Sequence, residues 1–358
     1  MTKQLKKIGI FTSGGDCAGL NAVITASIKM CEQKNIEIYG IYNGSDGLLC
    51  NNLKYEKLVS GDLLKNNFTP MRTGGTILKS KNRDTSKNDA SNYKELFKKG
   101  VEELGLEAII VVGGDGSAMI IANLVKGSDI NIVCIPKTID NDTPITDYSI
   151  GFDTARTITT EAMDRLQTTA YSHDRILILE VMGRDAGHLA LHTAIAGEGC
   201  VCIIPEIPYN MDGVCKKLDE TLTKTNGYAL IVVAEGAKTT EGKTITVDKN
   251  GVESYTGFSN YLLKKLSERG YNSRGSILGH VQRGGAPTAY DRIFATQCAV
   301  CAINCLIDGK NNRMVILKDG KVTDIDLFEA VDAGNRPVDK NDELVKVARE
   351  IGIYVGDL

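Results

Sequence analysis

Long hydrophobic runs are missing from this chain of 358 residues. No apolar stretch approaches the ~20 residues of a membrane-spanning helix. The amino terminus enters a short β-branched run and a glycine-rich loop, with no signal-peptide core. A cytoplasmic location without a membrane partner is therefore expected. A strong charge of either sign is missing too. Lys and Arg number 42 against 45 Asp and Glu, a net charge of −3, so nothing draws the whole molecule toward nucleic acid or anionic lipid. Any anionic ligand must be held locally. Repeats and low-complexity tracts are absent, as is any Cys/His or Ser/His arrangement that would point to a covalent intermediate. The ten cysteines do not make a secreted disulfide framework. Cys200 and Cys202 alternate on an expected strand. Cys298, Cys301 and Cys305 share one face of an alanine-rich helix, where buried free thiols are expected over a metal site because no His or carboxylate is interleaved.

What the chain does have is enough apolar content, 42%, to build sizeable cores. Its length corresponds to roughly two domains of about 150 residues. Short β-branched runs alternate with helical ones. Strands are expected over Lys7–Thr12, Ala108–Val112, Asn131–Ile135, Arg175–Val181, Cys200–Pro205, Tyr228–Ala234 and Ser276–Val281. Helices are expected over Leu20–Glu32, Ser117–Val125, Asp153–Ala170, Ala186–Ala196 and Pro287–Ile307. The alternation and the near-continuous apolar strands predict an α/β fold, two domains with parallel-rich sheets flanked by helices. Residues 239–256 read as an exposed hairpin turning at Asn250-Gly251. The lysine-rich stretch 66–91 reads as a surface segment able to supply basic side chains.

Three local patterns carry chemistry. The run Ile132–Asp142 (IVCIPKTIDND) leaves a strand and ends in Asp140 and Asp142. In an extended segment these project to one side, suiting proton abstraction or cation binding. An Asx turn bonding its own backbone is the alternative. Two strands end in glycine-rich loops that open helices: Thr12-Ser13-Gly14-Gly15-Asp16 and Gly113-Gly114-Asp115-Gly116-Ser117. Such loops aim successive N–H groups at an anion. Neither has Walker A or Gly-x-Gly-x-x-Gly spacing. An aspartate there would repel a phosphate unless a divalent cation lay between them, which makes Asp115 the Mg²⁺ candidate. Finally, Arg175, Arg184, Arg274 and Arg283 stand at strand ends, where guanidinium forks match phosphate oxygens; Glu235 and His280 can meet sugar hydroxyls. Together these describe phosphoryl transfer from a polyphosphate donor.

Those residues, with TSGGD, GIYNG, GGT, GGDGS, PKTIDND, IGFDTA, EAMDRL, EVMGR, AIAG, ILGHVQRGG and YDR, resemble the 6-phosphofructokinases from Ile8 to about Arg292. The resemblance implies a donor-binding domain over 1–150 plus about 283–330. A fructose-phosphate-binding domain follows over 151–282 plus the C-terminal segment, with the active site in the cleft between them. It implies Asp140 as the base for the fructose 1-hydroxyl, Asp115 on Mg²⁺, Gly14 on the transferred phosphate, and Thr138 and Arg184 on the transition state. Donor contacts fall to Gly14, Lys81, Asn82, Arg83, Gly114, Asp115, Gly116 and Ser117, with the choice between Lys81 and Arg83 open. Acceptor contacts fall to Thr138, Ile139, Asp140, Met182, Gly183, Arg184, Glu235, His280, Val281, Gln282 and Arg283. Arg175 and Arg274 match positions that reach the 6-phosphate from a neighbouring subunit, so a homo-oligomer, dimer or tetramer, with shared sites is implied.

The implied reaction is phosphorylation of fructose 6-phosphate by ATP-Mg, the committed step of glycolysis. Pyrophosphate is the alternative donor: Gly116 resembles the ATP branch and Lys137 the pyrophosphate branch, while Ser45 and Ile120 depart from the short ATP enzymes. NAD kinases and lipid kinases share a Gly-Gly-Asp-Gly loop but do not require TIDND, MGR and HVQRGG. A non-catalytic fructose-phosphate-binding subunit would tend to lose Asp140 or Asp115, and both are present.

Overall fold

The computed structural model describes residues 5–63, 69–81, 90–249, 252–255 and 257–356. In chain order, the first segment contains β1 (Lys7–Thr12), α1 (Leu20–Gln33), β2 (Glu37–Ile41), β3 (Tyr55–Leu58), α2 (Ser60–Leu63), α3 (Ala90–Leu104), β4 (Ala108–Gly113), α4 (Asp115–Val125) and β5 (Asn131–Pro136). Then come α5 (Phe152–His173), β6 (Ile176–Val181), α6 (His188–Ala196), β7 (Val201–Ile203), α7 (Met211–Thr225), β8 (Ala229–Ala234), β9 (Thr246–Lys249), β10 (Val252–Tyr255), α8 (Phe258–Ser267) and β11 (Ser273–Ile277). The chain finishes with α9 (Ala289–Ile307), β12 (Arg313–Lys318), β13 (Lys321–Asp326), α10 (Leu327–Asp332) and α11 (Glu343–Glu350).

These elements form two compact units. Unit 1 takes Met1–Thr138, Thr143–Asp153 and Arg283–Asn335; unit 2 takes Ile139–Asp142, Thr154–Gln282 and Arg336–Leu358. Unit 1 holds a seven-stranded sheet in the order β13-β12-β5-β4-β1-β2-β3. Its five central strands are parallel, and β13 and β3 close the edges antiparallel. Unit 2 holds a four-stranded parallel sheet, β11-β6-β8-β7. β4, β6 and β8 are buried at every position, because a parallel strand covered on both faces must be apolar throughout. Phe11, Phe97, Ile109, Val111 and Ile132 anchor one core; Ile178, Ile231, Val233, Phe258 and Leu262 anchor the other.

Glu180 is the exception inside β6. Its carboxylate accepts from the Gly257 amide at 2.8 Å, the Ser259 amide at 2.7 Å and the Ser259 hydroxyl at 2.7 Å. It thereby satisfies donors at the start of α8, where a negative charge is favoured.

The α/β class with parallel-rich sheets is as the alternation predicts. One strand is displaced: β11 ends at Ile277, and Gly279–Arg283 form a 3-10 turn in place of the strand expected to Val281. Gly279 at φ 55 breaks the extended backbone, and β11 is an exposed sheet edge with no apolar signal to mark its limits. β9 and β10 pair antiparallel as a hairpin requires; its expected turn, Asn250-Gly251, lies outside the described residues. Much of the 66–91 surface stretch lies outside them too. Among the described residues, no helix is long and apolar enough to cross a membrane.

Parallel strands deliver their carboxyl ends to one edge of a sheet, and ligands of open α/β sheets bind beyond that edge. The loops after β1, β4 and β5 in unit 1, and after β6, β8 and β11 in unit 2, carry nearly all the predicted site residues.

Candidate active site

In unit 1 the two glycine loops converge. A β-carbon built on Gly14 would lie 3.1 Å from Ser117 Oγ and 3.5 Å from Lys137 Nζ, and φ of +83° there also demands glycine. The loop carbonyls are tied down: Ser80 Oγ donates to the Gly14 carbonyl at 2.5 Å, and Lys137 Nζ donates to that of Gly15. This fixes the peptides that carry the Gly15 and Asp16 amides. A cleft of about 350 Å³ opens here, lined by Gly14, Gly15, Asp16, Thr76 and Ser80. Arg283 Nη1 donates to the Asp16 carbonyl at 3.1 Å, so this guanidinium packs on the phosphate loop.

Asp115 is the first residue of α4 and half-buried, with Gly114 as its N-cap. A lone carboxylate at the rim of an anion-binding helix end, completed by phosphate oxygens and water, is a donor set that fits Mg²⁺. A β-carbon on Gly116 would meet nothing within 4 Å, so the space before it is open. Lys81 pairs with Asp46 at 2.7 Å. Asn82 and Arg83 lie outside the described residues. Ser45 is buried against the Tyr93 hydroxyl at 2.8 Å, and the half-buried Ile120 packs on the core. Thr138 follows β5, half-buried, as the last residue of this segment of unit 1.

In unit 2, Ile139 and Asp140 are buried, Asp140 to 6% exposure, and Asn141 takes a left-handed φ of 53°. Glu235 leaves the end of β8, and its Oε1 accepts from the Arg184 amide at 3.1 Å. Burial pushes its carboxyl up to about 7, and the negative charge of Asp140 adds to this against the opposing pull of the Arg184 and Gly183 amides. After β6 the chain turns sharply through Gly183 at φ 143°, where a β-carbon would strike the Ala186 carbonyl at 2.5 Å. Met182 N–H donates to Gln282 Oε1 at 3.0 Å, and Gln282 Nε2 donates to the Gly279 carbonyl at 2.9 Å, joining the ends of β6 and β11. Arg184, His280 and Val281 are exposed on that edge.

Arg175 and Arg274 are not brought to this edge. Both lie at the amino ends, Arg175 just before β6 and Arg274 beside Leu177 in β11. Arg175 to Met182 is seven residues, about 23 Å along an extended strand. Of the four strand-end arginines, Arg184 is the one that unit 2 brings to this edge, and Arg283 belongs to unit 1.

The structure also gathers a group that the linear sequence does not. Asp324 of β13 lies within 4.8 Å of both Cys301 and Cys305 of α9. It already accepts from Lys310 at 2.6 Å and Arg313 at 2.7 Å, and two cations at the same carboxylate oppose a metal. It is an ion-paired neighbour of one buried thiol, Cys305, and one half-buried thiol, Cys301.

Two glycine loops that meet beside a cleft at the end of one parallel sheet, and the carboxylates Asp140 and Glu235 with the exposed Arg184 at the end of another, suit a phosphotransferase. The family model described as Phosphofructokinase matches residues 7–306, and the chain belongs to that family. It is 42% identical to ATP-dependent 6-phosphofructokinase 1 of Nostoc sp., covering 98% of this chain and 99% of that one. It is 38% identical to ATP-dependent 6-phosphofructokinase of Chloroflexus aggregans, over 100% and 99%. Among solved structures, phosphofructokinase from Saccharomyces cerevisiae superposes with a TM-score of 0.78 at 27% identity, over 97% of this chain; the chain spans about half of the yeast one, 47%. A pyrophosphate-dependent phosphofructokinase from Marinobacter aquaeolei gives a TM-score of 0.77 at 21% identity, over 99% and 93%, a likeness of fold.

Proposed function

We propose that this chain transfers the γ-phosphoryl group of ATP to the 1-hydroxyl of fructose 6-phosphate, giving fructose 1,6-bisphosphate and ADP in glycolysis. The observation that carries the reading is end-to-end likeness, at about 40% identity, to relatives named ATP-dependent 6-phosphofructokinase. The open space before Gly116 supports ATP as donor, since it leaves room for an inner phosphate. Lys137, the feature that resembles the pyrophosphate branch, is turned onto the Gly15 carbonyl.

In this reading unit 1 is the donor-binding domain. Amides at Gly14, Gly114 and Ser117 receive the polyphosphate, and Lys81, Asn82 or Arg83 add positive charge to it. Asp115 holds Mg²⁺, which screens phosphate charge when bound. Unit 2 is the acceptor domain. Asp140 takes the proton of the 1-hydroxyl as that oxygen attacks the γ-phosphorus in line. Thr138 and Arg184 stabilise the charge that develops on the transferred group. Met182, Gly183, Glu235, His280, Val281, Gln282 and Arg283 hold the sugar phosphate, with Glu235 accepting from sugar hydroxyls.

The placement of Arg175 and Arg274 supports a closed homo-oligomer, dimer or tetramer, in which they serve a neighbour's 6-phosphate. The edge strand β11 is exposed in the single chain, with Ile277 at 46% and Val281 beyond it at 65% exposure, as an edge awaiting cover would be. A cytoplasmic setting goes with these substrates. The test is a coupled assay for fructose 1,6-bisphosphate with ATP and Mg²⁺: steady product formation supports the reading, and none overturns it.

A further inference from the structure

The segment Ile139–Asp142 belongs to unit 2 although the chain on both sides of it belongs to unit 1. A segment from the far end of the sequence straps onto it. Arg336 Nη2 donates to the Asn141 carbonyl at 2.9 Å, and the Arg336 amide donates to the Asp142 carbonyl at 2.8 Å. The strap is itself fastened. His188 Nε2 lies 3.0 Å from the Arg336 carbonyl at the start of α6. A carbonyl oxygen can only accept, so this contact needs Nε2 to carry a hydrogen; burial lowers the proton affinity of the ring. Two residues on, the Val338 amide donates at 2.8 Å to Glu206 Oε1, which also accepts from the Gly187 amide at 2.8 Å.

We propose that Arg336 is a positioning residue for Asp140, holding the carbonyl that follows it so that the carboxylate is aimed before substrate arrives. The inference rests on the reading of Asp140 as the base. Asn141 sits at a left-handed φ of 53°, a region that asparagine tolerates better than most residues and that surrounding contacts stabilise. Charge-assisted bonds from a guanidinium to a carbonyl are the strong kind. Misplacing a reacting group by about 1 Å can cost on the order of 10²-fold in rate. Arg336→Ala deletes the side-chain bond to Asn141 and spares the bond to Asp142, which comes from the main chain.

The test uses the full chain with Arg336→Ala and Arg336→Lys, alone and combined with Asp140→Asn. Amide exchange across Ile139–Asp142 should quicken at least about ten- to a hundredfold in Arg336→Ala, the scale of a lost charged hydrogen bond, with β6 and β8 unaltered. Turnover should fall on the order of 10²-fold with KM for fructose 6-phosphate nearly unchanged. Lysine should restore part of it. Over Asp140→Asn the alanine change should cost nothing further, since no base is left to aim. Unchanged exchange at the loop, exchange raised throughout unit 2, or a full rate loss repeated over Asp140→Asn would each overturn the proposal. An inactive wild type refutes the functional reading instead, and the exchange data then decide the brace.

Discussion

Glu235 gives the account a quantitative pH signature. It is buried at the end of β8, held by the Arg184 amide, and raised from its ordinary value of 4.5 to about 7, by burial first and by Asp140 in addition. At 1.36 kcal/mol for each pH unit between the two values, ionising it costs the folded chain about 3 kcal/mol more than the unfolded chain. Between about pH 4.5 and 7 the folded state therefore holds more protons than the unfolded one. Stability falls as pH rises through that window, by up to 1.36 kcal/mol per pH unit, and stays lower above it. Glu235→Gln removes the titration and keeps an oxygen for the Arg184 amide. Denaturant unfolding of both proteins should show the variant gaining on wild type by about 3 kcal/mol from pH 4 to pH 8. A difference that does not change with pH would refute the reasoning, because neither burial nor Asp140 would then be opposing the charge.

Asp140→Asn should fold and bind normally while turnover drops ~10²–10⁴-fold, the usual cost of losing a positioned base; near wild-type turnover would remove Asp140 from the mechanism. Gly116→Asp places a carboxylate in open space, so it should fold as well as wild type, helped by the N-terminal end of α4. Its charge should oppose the inner phosphate of ATP by about 4 kcal/mol at 4 Å and an effective dielectric of 20, lowering kcat/KM for ATP up to about 10³-fold. Unchanged use of ATP would show that this glycine does not select the donor. If subunits share sites, mixing Asp140→Asn chains with Arg274→Ala chains should restore part of the activity in hybrids. A monodisperse active monomer contradicts sharing.

The glycine loops were legible because their chemistry is local, whereas the TIDND run is not the extended segment expected, since Asn141 turns it at a left-handed φ of 53°. Strand, glycines and helix start lie within a dozen residues, and the buried runs of β4, β6 and β8 mark parallel strands without any tertiary knowledge. What stayed hidden is long-range. Arg336 reaches Asn141 across 195 positions, and Gln282 reaches Met182 across 100, with no pattern in the intervening chain to announce either. Glu180 reads as a flaw in an apolar strand until α8 supplies three donors to it. Arg175 and Arg274 stand at or just before the starts of the expected strands, and the structure keeps them at the amino ends of β6 and β11. Strands β2, β3, β12 and β13 escaped: the antiparallel edges β3 and β13 are exposed and carry little apolar signal, and β2 and β12 are short runs that open on a charged residue.

The central claim is a donor and an acceptor, and one comparison addresses both. Initial rates of fructose 1,6-bisphosphate formation from fructose 6-phosphate should be measured with ATP and with pyrophosphate at equal concentration and saturating Mg²⁺. The account predicts sustained product with ATP and a much lower rate with pyrophosphate. A higher rate with pyrophosphate would contradict the donor assignment drawn from Gly116, and no product with either would contradict the function itself.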